Sequence, residues 1–392
     1  MYKILTLNNI AVEGLRHLPR ERYEVASEIA HPDAILLRSY NMHDMEIPDT
    51  VAAIGRAGAG TNNIPCDAMA ARGVPVFNAP GANANAVKEL VIGGLLLGAR
   101  NLANASEYVK TLDETGDALK KAVEDGKKQF VGFELPGKTL GVIGLGAIGV
   151  EVANAALDLG MKVVGYDPAI TVRNAWQLSA GVEMEETLDE LFQHADFVTC
   201  HVPLIDATRG MVSKDRLALM NHGGVLINFA RGGVVDDAAA IAALDSGKLH
   251  AYVTDFPTPE LIRHPKVTAL PHLGASTGEA EANCAVMVAE NVKDYLENGN
   301  IRHSVNFPEA RLPRLDAWRI SVANANVPNM VGQISTCIAN AGLNIEDLLN
   351  KSIGDVAYTI VDVNGEPTDA LLDELRSIKG VLTLRNLGKP VT

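Results

Sequence analysis

The chain carries the stretch Lys138-Thr-Leu-Gly-Val-Ile-Gly-Leu-Gly-Ala-Ile-Gly149, in which an apolar run leads into closely spaced glycines. Gly144, Gly146 and Gly149 have the spacing GxGxxG. Between a strand and a helix, the first glycine allows a tight turn and the second lets the backbone approach a pyrophosphate. The third lets the helix pack on the strand. The apolar pattern predicts a helix from about Ala147 to Leu159, whose free N–H groups would point at that pyrophosphate.

A carboxylate closes this unit. The run Met161-Lys-Val-Val-Gly-Tyr-Asp167 predicts the next strand, with Asp167 at its end. An acid at this place accepts a hydrogen bond from a ribose 2′-hydroxyl and would repel a 2′-phosphate, which favours NAD over NADP. The alternative is a purely structural turn, because glycines also fill ordinary turns.

Strand-like and helical runs alternate along the chain, which predicts an α/β fold with doubly wound parallel sheets. The predicted strands of the first two-thirds are 3–7, 34–37, 53–56, 74–77, 197–202, 225–229, 251–254 and 267–270. A long helix is predicted from Thr277 to Glu297, with Ser276 at its start. The last residues have the order strand, helix, strand, strand, helix, strand, which predicts a small ferredoxin-like βαββαβ module.

This alternation divides the chain into domains. Residues 1–95, completed by about 282–305, are expected to form a substrate-binding domain, and 96–281 a dinucleotide-binding domain. Residues 306–316 contain Pro308 and Pro313 and are expected to form an extended linker. Residues 317–392 are expected to form the small C-terminal module.

Composition excludes several classes of function. The 392 residues are 47% hydrophobic and 21% charged, as in globular proteins. A net charge of −14 without basic runs argues against nucleic acid or an anionic membrane as partner. The four cysteines are scattered, so we expect buried thiols in a reducing cytoplasm and neither a disulfide framework nor a metal site. We also expect neither a secretory leader nor a membrane span.

Three charged residues follow predicted strands of the dinucleotide unit. Ligands of open α/β sheets bind beyond the carboxyl ends of the strands, where Arg231, Glu260 and His272 would lie. A guanidinium can hold a carboxylate by two parallel hydrogen bonds, and an imidazole beside a carboxylate can accept a proton from an alcohol. Each residue has a plainer interpretation: Arg231 as a surface ion pair, Glu260 as a solvated acid, His272 as a helix cap. Asp255 would then cap a turn.

The motifs together resemble the D-isomer-specific 2-hydroxyacid dehydrogenase family over nearly the whole chain. The matching segments are 141–149, Cys200-His-Val-Pro-Leu204, Asn228-Phe-Ala-Arg-Gly-Gly-Val-Val235 and Pro271-His-Leu-Gly-Ala-Ser-Thr277. The resemblance implies two Rossmann-like domains with Arg231 as carboxylate anchor, His272 as acid/base and Glu260 as its partner. The loop before Glu260 departs from many relatives, although the spacing from Asp255 is kept.

The resemblance also implies a set of cofactor-binding residues for NAD. These are Gly144, Gly146, Ala147, Ile148, Gly149, Asp167, Val202, Pro203, Phe229, Ala230, Arg231, Asp255, His272 and Gly274. It further implies a set of substrate-binding residues, namely Arg38, Ser39, Arg56, Gly58, Asn83, Arg231 and His272. Arg38 and Arg56 are candidates for holding a phosphate. Alternatively, these two arginines only form salt bridges within their domain.

The C-terminal module resembles an ACT domain, a small regulatory fold that binds serine between subunits in some relatives. The candidate effector residues are Asn324, Asn326 and Asn344, of which Asn324 replaces a histidine of the serine-inhibited relatives. Serine inhibition stays one alternative. The others are dimerisation alone or binding of a different amino acid.

The resemblance implies NAD-dependent oxidation of 3-phospho-D-glycerate to 3-phosphohydroxypyruvate, the first step of L-serine synthesis, by a cytoplasmic homodimer or homotetramer. Two rivals remain open. One is a sibling enzyme that reduces glyoxylate or hydroxypyruvate, and the other is a non-enzymatic NAD(H)-sensing co-regulator.

Overall fold

The computed structural model describes residues 1–390 and separates into two compact units. The first unit comprises Met1–Ala82 and the chain from Glu281 onward, and the second comprises Asn83–Ala280. The predicted α/β class is confirmed, because two parallel sheets and one antiparallel sheet carry the fold.

A five-stranded parallel sheet organises the first unit, in the order β2-β1-β3-β4-β5. Its strands are β1 Tyr2–Leu7, β2 Tyr23–Ala26, β3 Ala34–Leu37, β4 Ala53–Arg56 and β5 Val76–Phe77, with short helices α1 Val12–Leu15 and α2 Cys66–Ala71. The last strand is shorter than the predicted 74–77, because Pro75 has no N–H to donate to a ladder. Leu37 and Arg56 lie side by side in the register of β3 and β4.

A seven-stranded parallel sheet organises the second unit, in the order β12-β11-β10-β9-β6-β7-β8. The strands are β6 Thr139–Ile143, β7 Lys162–Tyr166, β8 Val182–Met184, β9 Phe197–Cys200, β10 Gly224–Asn228, β11 Leu249–Thr254 and β12 Val267–Ala269. The order reverses at β6, so β6 and β9 flank the topological switch point where ligands of such sheets bind.

Helices cover both faces of this sheet. They are α3 Ala84–Arg100, α4 Leu102–Lys110, α5 Gly116–Gly126, α6 Ala147–Asp158, α7 Val172–Gln177, α8 Leu188–His194, α9 Lys214–Leu219 and α10 Asp237–Asp245, with single 3-10 turns at Lys127–Phe130 and Leu261–Arg263. The predicted helix from Ala147 forms one residue shorter than expected. None of the helices within residues 1–390 combines the length and apolar character that a membrane crossing needs.

The long helix α11 spans Gly278–Asn298. The hydroxyl of Thr277 accepts the Ala280 N–H at 3.1 Å. Thr277, and not the predicted Ser276, therefore caps this helix, because the chain becomes helical two residues later than Ser276.

The C-terminal module confirms the predicted βαββαβ order. Its elements are β13 Trp318–Ala325, α12 Met330–Asn340, β14 Ile345–Ile353, β15 Val356–Val363, α13 Asp369–Ser377 and β16 Val381–Gly388. The antiparallel strand order β14-β15-β13-β16 is that of a ferredoxin-like sheet.

The two faces of this antiparallel sheet pack differently. Ile320 and Val322 contact the module's own helices. Ala323, Tyr358 and Ile360 instead join the hydrophobic core that contains β1 and α11. The module is thus a layer of the first unit and not an isolated appendage.

The segment 306–316 packs as well. Phe307, Ala310 and Leu312 are buried in the same core, and the Asn306 side chain accepts the Val76 N–H at 2.8 Å. Its prolines keep the backbone extended while its apolar side chains hold it in place.

Candidate active site

The three glycines of the fingerprint meet three different steric demands. Gly144 has φ +91, a conformation that L side chains rarely adopt, and a Cβ on it would lie 2.8 Å from the His201 carbonyl oxygen. A Cβ on Gly149 would lie 1.9 Å from the Gly144 carbonyl oxygen. A Cβ on Gly146 would meet no atom within 4 Å. Gly146 therefore faces open space at the start of α6, where a ligand would approach the backbone.

Asp167 is fixed against this loop. It follows β7, and its Oδ2 accepts the Leu145 N–H at 2.8 Å while its Oδ1 accepts the Ala169 N–H at 2.9 Å. A carboxylate has about four lone-pair sites, so capacity remains for a hydroxyl donor. The glycine loop and its acid are thus brought together by tertiary structure.

The other predicted cofactor residues lie at the same carboxyl edge. Ala147 is exposed and Ile148 half-buried at the start of α6, while Val202 and Pro203 follow β9. Phe229 and Ala230 follow β10 and are buried. The Phe229 ring packs against Gly94 of α3, so it has a core role whatever else it contacts.

Asp255 follows β11 and is 1% exposed. Its Oδ2 accepts the Gly274 N–H at 3.2 Å, whereas its Oδ1 is buried and has no hydrogen-bond partner within the described chain. Burial raises the pKa of Asp255, an effect that the Gly274 N–H and His272 oppose. A buried acceptor without a donor fits the amide of a nicotinamide ring, so these residues fit the cofactor that the fingerprint predicts.

His272 has a strained backbone. Its φ of +47 is unusual for a residue with a side chain, and its N–H is held by the carbonyls of Asp255 at 3.1 Å and Leu270 at 3.2 Å. The ring lies 4.9 Å from the Phe256 ring, centroid to centroid, and the residue is exposed. The loop thus presents an accessible imidazole in a defined orientation.

A cavity of about 360 Å³ opens beside this imidazole. It is lined by Asn228, Gly232, Gly233, Asp237, Tyr252, Asp255, Phe256, Pro257, Thr258 and His272. Burial, and then the neighbouring Asp236, raise the pKa of Asp237, while a hydrogen bond with Thr258 has the opposite effect. Two acids, Asp237 and Asp255, therefore share a cavity with His272.

Glu260 lies near Asp237, since its charge adds to the effect of burial in raising the pKa of that acid. Glu260 is exposed and lines a separate cavity of about 370 Å³ with Leu244, Asp245, Arg263, His264, Pro265 and Lys266. Within residues 1–390, no hydrogen bond or ion pair joins Glu260 to His272. The partnership of these two residues stays a prediction.

Arg231 follows β10 and is exposed. Its guanidinium donates to the Ala230 carbonyl at 2.6 Å, and the Asn228 side chain donates to the Arg231 carbonyl at 3.0 Å. This places a cationic side chain at the edge of the sheet that also carries Asp255.

The predicted phosphate residues meet within the first unit. Arg38 follows β3 and Arg56 is the last residue of the adjacent parallel strand β4, and Arg56 Nε donates to the Arg38 carbonyl at 3.1 Å. Gly58 leaves room for the Arg56 guanidinium, because a Cβ at this position would overlap Nη1 of Arg56. Ser39, which follows Arg38, is exposed. Arg38 also pairs with Glu281 of α11 at 2.7 Å.

The remaining predicted residues differ in exposure. Asn83 precedes α3, and its Oδ1 is buried without a partner within the described residues. Asn324 is 0% exposed and donates to the Ala325 carbonyl, whereas Asn326 and Asn344 are exposed. Among the effector candidates, Asn324 is the one that its own fold buries.

Two residues of these sites were missed by sequence reasoning. Asp237 is the second of two acids at the start of α10, six residues after Arg231, and that acidic pair was the available signal. Glu281 shows no signal beyond its place in the first turn of a predicted helix. Both became visible through their contacts.

Comparisons with known proteins find relatives of this chain over most of its length. A D-3-phosphoglycerate dehydrogenase of Methanocaldococcus jannaschii is 35% identical over 352 residues, which are 87% of this chain and 63% of that protein. One of Haemophilus influenzae is 34% identical over 355 residues, 88% of this chain and 83% of that protein. The solved NAD+-bound 3-phosphoglycerate dehydrogenase of Entamoeba histolytica is 25% identical, with a TM-score of 0.59 over 78% of this chain and 98% of that chain.

The fold and the glycine loop define a two-unit α/β protein of the Rossmann class. Residues 93–274 match the model of the D-isomer specific 2-hydroxyacid dehydrogenase NAD binding domain. The chain belongs to the D-isomer specific 2-hydroxyacid dehydrogenase family. It spans 63% of the length of the M. jannaschii relative.

Proposed function

We propose that this chain oxidises 3-phospho-D-glycerate to 3-phosphohydroxypyruvate with NAD, the first step of L-serine synthesis. The observation that carries the proposal is the adjacent placement of Arg38 and Arg56 at the carboxyl ends of β3 and β4. Two guanidinium groups are suited to a phosphate monoester, whereas an unphosphorylated hydroxy acid needs only one arginine for its carboxylate. The names of relatives at 34–35% identity support the same substrate.

NAD is the proposed cofactor. Gly146 leaves space for a pyrophosphate at the start of α6, and Asp167 would accept a hydrogen bond from a ribose hydroxyl. Asp255 Oδ1 would accept a hydrogen bond from the amide N–H of the nicotinamide. When bound, NAD supplies the acceptor for the two electrons and the hydrogen that leave C2 of the substrate.

The remaining chemistry belongs to the side chains. Neutral His272 accepts the proton of the C2 hydroxyl as the C–H electron pair leaves, and it later releases that proton to solvent. Arg231 holds the carboxylate and polarises the developing carbonyl oxygen. Glu260, which the resemblance pairs with His272, and Asp255, whose charge interacts with His272, stabilise the imidazolium form.

The test is NADH formation by the purified chain with NAD and 3-phospho-D-glycerate. D-glycerate and NADP serve as matched controls, because each differs by one phosphate group from the substrate or cofactor that the proposal uses. A strong preference for the phosphorylated acid with NAD is the expected result. Equal rates with D-glycerate would favour the sibling glyoxylate or hydroxypyruvate reductase, and turnover of no hydroxy acid in either direction would favour an NAD(H)-sensing co-regulator.

For the C-terminal ACT-like module we propose an amino-acid effector site at Asn326 and Asn344, the two exposed candidates. A cytoplasmic homodimer or homotetramer would bring two such modules together. A rise in melting temperature with L-serine that Asn344→Ala abolishes would support this site. No response to serine or to any other amino acid would limit the module to assembly.

A further inference from the structure

Glu281 forms an ion pair with Arg38, one of the two proposed phosphate ligands. Its Oε1 lies 2.7 Å from Arg38 Nη1, and both side chains are about two-fifths exposed, at 42% and 38%. This ion pair lies entirely within the first unit, where Glu281 belongs to the first turn of α11.

The neighbouring residues define a small cluster around this pair. The buried Cys284 lies one turn further along α11, near the same charged groups. Burial raises the pKa of its thiol, the charges of Arg56 and Arg38 lower it, and the charge of Glu281 raises it. Arg56 in turn contacts the Arg38 backbone. The cluster therefore contains two cations and one anion on adjoining elements β3, β4 and α11.

This charge balance matters for the ligand. A phosphate monoester carries nearly two negative charges at neutral pH, which Arg38 and Arg56 together would match. With Glu281 in place the cluster has one net positive charge, and a phosphate at Arg38 would stand beside a carboxylate. The phosphate and the Glu281 carboxylate then compete for the charge-assisted hydrogen bonds that the Arg38 guanidinium can donate.

We propose that Glu281 is a specificity-determining residue that competes with the substrate phosphate for Arg38. The inference rests on the proposed function, because it takes Arg38 as the phosphate ligand. Without ligand, Glu281 satisfies the Arg38 guanidinium. When a phosphate binds, the Glu281 carboxylate loses its contact with Arg38. The free energy of that lost ion pair lowers the affinity for every phosphate monoester.

The experiment replaces the charge and keeps the shape. Glu281→Gln retains an oxygen that accepts from Arg38 but removes the competing charge. We expect it to tighten binding of inorganic phosphate about three- to fivefold, the effect of one partly exposed charge pair. Isothermal titration at about pH 8, where phosphate is a dianion, measures this without turnover. Glu290→Gln is the matched control, because Glu290 lies on the same helix and pairs with His17 at 3.1 Å.

Kinetics add a second readout. Glu281→Gln is expected to lower KM for 3-phospho-D-glycerate by the same factor and to leave D-glycerate unaffected. Unchanged or weaker phosphate binding in Glu281→Gln overturns the proposal, and weaker binding assigns Glu281 to holding Arg38 in position. If no hydroxy acid is turned over, the proposed function fails, while the phosphate titration still decides the role of Glu281.

Discussion

At the scale of single residues, His272 is positioned by its backbone. Its N–H is held by two carbonyls, its φ is positive, and its ring packs on Phe256. The acid that the family resemblance pairs with it, Glu260, lines a cavity with Arg263, His264 and Lys266. The charge of Glu260 also acts on the His272 cavity, since it adds to the effect of burial in raising the pKa of Asp237 there.

The catalytic prediction follows from this placement. His272→Ala is expected to lower kcat about a hundredfold or more, because it removes the proton acceptor. Glu260→Gln and Asp255→Asn are each expected to lower kcat by less than His272→Ala, because a carboxylate only stabilises the imidazolium form. Steady-state rates of the three variants under saturating NAD measure both statements. Full wild-type kcat in Glu260→Gln would contradict its partnership with His272.

His201 predicts a pH dependence of stability. It follows β9, its Nε2 lies 3.1 Å from Thr199 Oγ1, and its Nδ1 is buried without a partner within the described residues. Burial lowers the pKa of His201. The unfolded chain takes up a proton near pH 6.5 and the folded chain does not, so this contribution to stability is complete above about pH 6.5 and decreases below it.

We therefore expect His201→Gln to flatten the acid dependence of stability. The slope should fall by at most about 1.4 kcal/mol per pH unit, the value for one proton. Urea unfolding between about pH 6.5 and pH 4.5 measures the slope. His43→Gln, at an exposed histidine, is the control and should keep the original slope. Parallel slopes for all three proteins would contradict the assignment.

At the scale of elements, the turn from β6 into α6 contains one glycine required by packing and another that leaves space for a ligand. Gly149 is required by packing, since a Cβ there overlaps the Gly144 carbonyl oxygen. Gly146 has open space and an extended backbone, with φ −70 and ψ −169, that alanine also adopts. The two glycines should therefore respond differently to the same substitution.

Gly146→Ala is expected to keep the wild-type melting temperature and to weaken NAD binding about tenfold or more, because the added methyl group occupies the ligand's approach to the backbone. Gly149→Ala is expected to lower both stability and binding. Thermal unfolding and fluorescence titration with NADH give the two readouts. Full NADH affinity in a stable Gly146→Ala protein would exclude a pyrophosphate at this turn.

The C-terminal end of α11 is another element fixed by distant residues. Arg385 of β16 donates to the Tyr295 and Leu296 carbonyls at 2.9 and 2.7 Å, and Tyr358 of β15 donates to the Gly299 carbonyl at 2.8 Å. A cation at this end also interacts favourably with the helix dipole. The ACT-like module thus satisfies carbonyls that a helix end leaves without intrahelical partners.

At the scale of the first unit, one buried ion pair links the module to the rest of the chain. Arg319 and Asp362 are both 0% exposed and pair across β13 and β15 at 2.6 and 2.7 Å. The same guanidinium donates to the carbonyls of Asn298, Leu312 and Pro313. A buried carboxylate that loses its partner costs about 3–5 kcal/mol.

Arg319→Met is accordingly expected to destabilise the first unit by about 3–5 kcal/mol, with faster hydrogen exchange in β1–β5 as well as in β13–β16. Urea unfolding followed by Trp318 fluorescence, together with hydrogen exchange, measures this. Asp373→Asn, which breaks the exposed Asp373–Arg376 pair, should change stability by less than about 1 kcal/mol. Exchange that is faster only in β13–β16 would show that the module unfolds independently.

Local sequence patterns were sufficient to predict the elements and the fold class. Strands such as Ala34–Leu37 and Ala53–Arg56, the helix from Ala147 and the βαββαβ order all follow from local periodicity and from glycine and proline positions, which act over a few residues. The glycine fingerprint with Asp167 could also be predicted from the sequence, because it lies within one strand-turn-helix-strand unit.

Tertiary structure alone decided which side chains meet. Asp237 reaches the His272 cavity, Glu260 lines another one, and Glu281 pairs with Arg38 across more than two hundred residues of chain. Likewise, Arg319 and Asp362 are buried because the second face of the C-terminal sheet packs on α11 and β1. Such contacts depend on how sheets and helices pack, and no local pattern in one sequence encodes the distance between residues far apart along the chain.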